Sequence, residues 1–123
     1  MSATNDLFNI DKIVHQDSAI LVVLGVSKDS KILKGHFPGH PVVPGACMLQ
    51  IVKEVLESSF NHALILKKAD QLKFMAMIDP SNTQSVQLDI EYKPLEDGSL
   101  AVNAKLSNTD VVHFKFQGSF VKI

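Results

Sequence analysis

One segment restricts the fold of this chain more than any other: residues 45–60, GACMLQIVKEVLESSF. Met48, Ile51, Val52, Val55 and Leu56 recur there at helical spacing. Pro44 and Gly45 mark the start of this helix, and Asn61 is its C-terminal stop after Phe60. Its first half is apolar almost all round, so it has to be enclosed and cannot lie on a surface. Lys53, Glu54, Glu57, Ser58 and Ser59 make the second half polar.

What encloses it must come from strands. Residues 19–27 (AILVVLGVS) form a continuous β-branched run, expected to be covered on both faces. Residues 8–14 form a short strand or helix, and Lys28 to Lys34 a polar connection. A strand is expected over 64–77, closed by Asp79-Pro80. In 86–92, Val86, Leu88, Ile90 and Tyr92 alternate with Gln87, Asp89 and Glu91. Asp97-Gly98 makes a turn, Leu100, Val102, Ala104 and Leu106 alternate again, and SNTD (107–110) turns the chain back. Val112, Phe114, Phe116, Gly118 and Phe120 then share a face, opposed by His113, Lys115, Gln117 and Ser119. The implied class is α+β, an antiparallel sheet wrapped around one central helix. With 123 residues, no repeats and no linker-like stretch, a single domain over 1–123 is expected.

Composition narrows the function classes. Net charge is −1, which does not suit a nucleic-acid binder. All 12 basic residues are lysine, so no guanidinium fork is available to grip a phosphate. The single cysteine, Cys47, forms neither an intrachain disulfide nor a Cys-rich metal site and reads as a small buried residue. The polar start, Met1 to Phe8, has no signal-peptide pattern, and no apolar run approaches membrane-spanning length. A cytoplasmic protein is expected.

Chemistry concentrates in the loop before the helix, GHFPGHPVVPG (35–45). A histidine in such a loop is commonly structural, but three features argue for more. Pro38, Pro41 and Pro44 each fix φ, so the loop holds its side chains in place. Gly39 and Gly45 let the backbone approach a ligand. The loop also feeds a helix N-terminus, whose free N–H groups and dipole favour an oxyanion. His36 is then a base near neutral pKa, suited to removing a proton next to a carbonyl, and the N–H donors near Gly45 stabilise the enolate-like charge. One turn into the helix, position 50 reaches toward the same cleft, and it is glutamine. His36 and His40 lack a local third ligand, so no metal is expected. His15, His62 and His113 read as polar-face or turn residues.

These residues resemble a known family. GHFPGHPVVPG followed by a helix is similar to the signature of the bacterial 3-hydroxyacyl-acyl-carrier-protein dehydratases of the hotdog fold. LKKADQLKFMAMIDPS (66–81) is similar to the family's strand with a basic residue and phenylalanine before a proline turn. The resemblance spans roughly residues 8–123. It implies a helix wrapped by an antiparallel sheet and dimers whose active sites combine residues from both chains. His36 matches the catalytic histidine and Gly45 the glycine at the helix head. Gln50 falls where the family carries glutamate or aspartate, and Lys73 where arginine is common.

Glutamine has nearly the shape of glutamate but no proton to give. Three outcomes follow. His36 does both proton transfers while Gln50 orients the hydroxyl or a water; or the chain is a weak or inactive partner in a mixed dimer; or the pocket serves a related reaction such as hydration or thioester hydrolysis. The first is preferred. It makes the chain a lyase converting 3-hydroxyacyl thioesters on acyl carrier protein to trans-2-enoyl thioesters, without metal or redox cofactor. The pathway, whether fatty acid, lipid A or polyene synthesis, stays open. Phe37, Pro44, Leu49, Phe74 and Met75 are the expected substrate contacts, with Phe74, Met75 and Met77 equally readable as core. The expected assembly is a homodimer, with a higher oligomer or heterodimer as alternatives. Lys28, Lys31, Lys34, Lys67 and Lys68 read either as an ordinary solvated surface or as charges that steer an acidic carrier protein.

Overall fold

Two of the boundaries that the sequence suggests for the long helix coincide with those in the computed structural model, which describes residues 6–34 and 42–123. In chain order the elements are β1 (Phe8–Gln16), β2 (Ala19–Val26), α1 (Lys31–Lys34), α2 (Gly45–Phe60), β3 (Leu64–Phe74), β4 (Ser85–Pro94), β5 (Leu100–Asn108) and β6 (Val111–Lys122). Helix α2 ends because Asn61 turns left-handed (φ 52°) and returns its N–H to the Glu57 carbonyl. Glu57 then spends its carboxylate on the Leu64 N–H at 2.9 Å, which sets the start of β3.

The strands form one sheet in the order β1-β2-β4-β5-β6-β3, antiparallel at every junction. Tight turns hold it together through left-handed residues: Ser18 (φ 62°), Gly98 (φ 88°) and Thr109 (φ 52°). The inner face supplies Ile20, Val22, Leu24, Val86, Leu88, Ile90, Val102, Leu106, Phe114, Phe116 and Phe120, all buried. Cys47, Met48, Ile51, Val52, Val55 and Leu56 of α2 join them in one core cluster. A helix wrapped by an antiparallel sheet is the hotdog fold.

Four local expectations change. Residues 8–14 are a strand that runs on to Gln16. Strand β2 is not covered on both faces: Ile20, Val22 and Leu24 are buried, while Ala19, Leu21 and Val23 on the other face are half-buried. The connection after β2 contains α1. And β3 stops at Phe74, not at 77, because the Met75 and Ala76 N–H groups both turn to the single carbonyl of His113 (2.8 and 3.4 Å), which ends the ladder.

Asp6 explains α1. Its carboxylate accepts the Ser30 hydroxyl (2.7 Å) and the N–H groups of Lys31 (3.2 Å) and Ile32 (3.1 Å), capping a turn that sequence periodicity does not reveal. The Ser30 hydroxyl foremost, helped by the Ile32 and Lys31 N–H groups, holds the Asp6 carboxyl below its ordinary value, with desolvation, second in size, opposing. A carboxyl depressed in the folded state contributes stability above its unfolded pKa, and that stability is lost as pH falls through the folded value. The urea midpoint of the wild type is therefore expected to drop as pH falls below about 4. Asp6→Asn should lower the midpoint at neutral pH and flatten part of that drop. The flattening is partial because Asp97, bonded to Lys67 and Ser99, is depressed in the same direction. An Asp6→Asn variant with an unchanged pH profile would rule this cap out as a source of acid sensitivity.

Candidate functional site

The head of α2 is formed by Pro44 and Gly45. Pro44 stands at the N-cap in an extended conformation (φ −61°, ψ 142°) and offers no side-chain cap, and no acidic residue occupies the first turn. The first N–H groups of a helix lack an acceptor one turn back; here the Cys47 N–H turns to the Pro44 carbonyl at 3.0 Å, and among the described residues no side chain caps the others. The backbone is held from behind by Val43, whose N–H donates to the Ile78 carbonyl at 3.0 Å.

Beside this head lies a cavity of about 400 Å³ lined by Val43, Gly45, Met48, Phe74, Met75, Ala76 and Met77. Among the described residues the side chains that line it are apolar, suited to an acyl chain. Phe74 forms one side. Its ring stacks on Phe114 (centroids 5.2 Å apart, planes at 29°) and lies over Gly45 so closely that a Cβ at 45 would come within 2.7 Å of Cε1. Glycine at 45 thus serves close approach by the aromatic ring. Phe74, Met75 and Met77 remain 53%, 55% and 77% exposed, so they are not core. A larger open groove of about 640 Å³ on the outer sheet face, with Gln87, Asp89, Lys105 and Lys115, has a mixed polar and apolar lining to which no residue of α2 contributes among those described.

Of the residues singled out in the sequence, Gly45, Phe74 and Met75 meet at this cavity. Pro44 adjoins it as the cap, and Leu49 packs half-buried against the core. Gln50 is half-buried and does not line the cavity. Five residues beyond Gly45, it lies about 140° further round the helix axis. His36 and Phe37 lie outside the described residues. Cys47 is buried, and burial above all, then the negative charges of Glu54 and Asp6, pushes its thiol up, so it is a packing residue and no nucleophile.

Residues 12–115 match the family model described as ApeI-like, ApeI dehydratase. The chain belongs to the ApeI-like dehydratase family. A Wolbachia pipientis wMel protein, 3-hydroxyacyl-acyl-carrier-protein dehydratase FabZ, is 26% identical over 94 residues. That alignment covers 67% of this chain and 64% of the relative, so the chain spans less than two thirds of its length. The FabZ of Rickettsia bellii is 24% identical over 117 residues, 87% of this chain and 81% of the relative. Among solved structures, the dehydratase heterocomplex ApeI:P from Xenorhabdus doucetiae superimposes with a TM-score of 0.74 at 14% identity, covering 96% of this chain and 99% of that one. At that identity the likeness concerns the fold.

Within this ApeI-like chain, the residue that sequence reasoning misplaced is His113. Alternation puts it on the polar face, yet it is 4% exposed. A register shift opposite Leu106 and Ser107 makes it the extra residue of a bulge and sends Val112 to pair with Ser107. Nothing in strand periodicity signals such an insertion.

Proposed function

We propose that this chain dehydrates 3-hydroxyacyl thioesters carried on acyl carrier protein to trans-2-enoyl thioesters. The observation that carries the reading is the uncapped head of α2 at Gly45, opening on an apolar cavity within a dehydratase-family fold. The acyl chain lies against Phe74, Met75 and Met77, and the thioester oxygen faces the N–H groups near Gly45. His36 removes the α-proton as the enolate charge develops at that oxygen. The C–O bond then breaks, the double bond forms, and His36 returns its proton to the departing hydroxyl, which leaves as water. Gln50 orients that hydroxyl. The reaction is redox-neutral, so no redox cofactor is required. The setting is fatty-acid or related acyl synthesis, in the cytoplasm.

A homodimer suits this chemistry. Strand β3 pairs with β6 only, and among the described residues its other edge is unpaired, with Ile65, Leu66, Leu72 and Phe74 exposed beside it. Such an edge invites a second copy. The angular separation of Gln50 from Gly45 favours a site in which Gln50 of one chain serves the His36 loop of its partner.

A second reading has specific support. Gln50 has no proton to donate, and one fold neighbour is a dehydratase heterocomplex. A mixed dimer would supply the missing acid from another chain. Incubating the purified chain with a 3-hydroxyacyl thioester separates these readings. Dehydration is expected to raise enoyl-thioester absorbance with no free thiol. Thiol release without that absorbance would identify a hydrolase. Turnover appearing only after a second dehydratase chain is added would establish the mixed dimer.

A further inference from the structure

His113 is a buried polar residue for which the proposed dehydration has no use. Ser30 and Ser99, the other buried polar residues among those described, bond to carboxylates. His113 has its Nδ1 3.1 Å from the Ala76 carbonyl, and its Nε2 is buried without a partner among the described residues. A carbonyl only accepts, so Nδ1 carries the proton and donates; in the neutral ring Nε2 is then left with a bare lone pair. An apolar side chain would fill the same space without stripping a lone pair of water. What the imidazole adds is the bond to Ala76.

That bond falls on the wall of the acyl cavity. Residues 75–77 leave the β-ladder at Phe74 and cross to Ile78, whose carbonyl receives the Val43 N–H next to the helix head. Met75 and Met77 are largely exposed and gain little support from the core. Between the ladder and Ile78, the segment is held by His113 alone among the hydrogen bonds of the described residues. The His113 carbonyl takes the Met75 and Ala76 N–H groups, which any residue at 113 would do, and its ring takes the Ala76 carbonyl, which few others would.

We propose that His113 is a positioning residue whose Nδ1–H, by holding the Ala76 carbonyl, sets the separation between the Met75–Met77 wall and the Gly45 helix head and so the acyl chains the cavity accepts. This rests on the reading that the cavity takes the acyl group. Substitutions with different reach test it. The amide nitrogen of an asparagine falls near the Nδ1 position, whereas that of a glutamine falls near Nε2. His113→Asn should keep the bond, while His113→Gln and His113→Leu should lose it. For the latter two, KM for long-chain 3-hydroxyacyl thioesters rises about five- to tenfold, the worth of one hydrogen bond. Their kcat stays within about twofold, and hydrogen exchange at Met75–Met77 quickens. The Asn variant stays near wild type in all three. Should the Leu variant fail to fold, the comparison of Asn with Gln decides.

Binding of a non-reactive acyl-pantetheine thioether, measured by calorimetry, keeps the two readings apart. If the wild type shows no dehydration but Gln still weakens thioether binding relative to Asn, the dehydration reading falls and the positioning role stands. Equal loss in Asn and Gln would overturn the role of the bond. So would faster exchange at Met75–Met77 with unchanged KM and unchanged thioether binding.

Discussion

His36→Ala is expected to lower kcat/KM on a 3-hydroxyacyl thioester by at least about 10²–10⁴, the usual contribution of a positioned general base or acid. In the one-histidine scheme the same imidazole both takes the α-proton and returns it, so its removal damages both halves of the reaction. Gln50→Glu should act in the opposite direction. It keeps the shape and adds a carboxyl able to donate a proton, so a rise of up to about 10² is expected. Steady-state kinetics on both variants, with circular dichroism to confirm folding, make the check. Turnover unchanged in His36→Ala would end the scheme. A Gln50→Glu variant no faster than wild type would count against Gln50 facing the departing hydroxyl.

Much of the architecture was legible because one helix and several strands have different periods. Met48, Ile51, Val52, Val55 and Leu56 could only be one helical face, and each is buried. Val86, Leu88 and Ile90, then Val102 and Leu106, alternate as an inner sheet face should, and they occupy it. Asn61 and Gly98 stand at left-handed positions because those residue types tolerate positive φ. What escaped notice is what depends on partners distant in sequence. Helix α1 is capped by Asp6, 24 residues before Ser30. The parity change at Val112–His113 comes from an inserted residue opposite β5, and a period-2 pattern cannot announce its own interruption.

The candidate site divides along the same line. Gly45 and Pro44 were readable because proline and glycine carry fixed backbone consequences wherever they occur. Phe74 and Met75 were ambiguous between core and cavity, since an apolar residue in a strand pattern looks the same in either place. Their exposure sets them apart from the buried core and puts them beside Gly45 at the cavity, whose use for an acyl chain belongs to the proposed function. Gln50 illustrates the converse. Its residue type states what it lacks, a proton, yet the cleft it serves depends on its angle about the helix and on a neighbouring chain.

Gly118→Ala is expected to be the most destabilising single-methyl change in the sheet. Gly118 pairs with Val102 on one side and Ala69 on the other, where β3 carries register shifts at Leu66/Lys68 and Ala69/Gln71. Those extra residues arch β3 over position 118. A Cβ there would press into the backbone carbonyl oxygen of Lys68 and come within 2.6 Å of the Phe116 ring. The ring is buried and the carbonyl belongs to the backbone, so neither yields easily. The expected cost is about 3 kcal/mol, the upper part of the range for overpacking. For a chain of this size that corresponds to a fall in Tm on the order of 10 °C. Gly98→Ala supplies the comparison: nothing lies within 4 Å of its Cβ, and only its positive φ (88°) resists, at about 1 kcal/mol. Because β3 also carries Phe74 to the helix head, lifting it should raise KM for acyl thioesters in Gly118→Ala and leave Gly98→Ala unaffected. Equal Tm losses in the two variants would mean that β3 is free to move away from β6 at this point, and the close approach of Lys68 to Gly118 would not be what seats the strand.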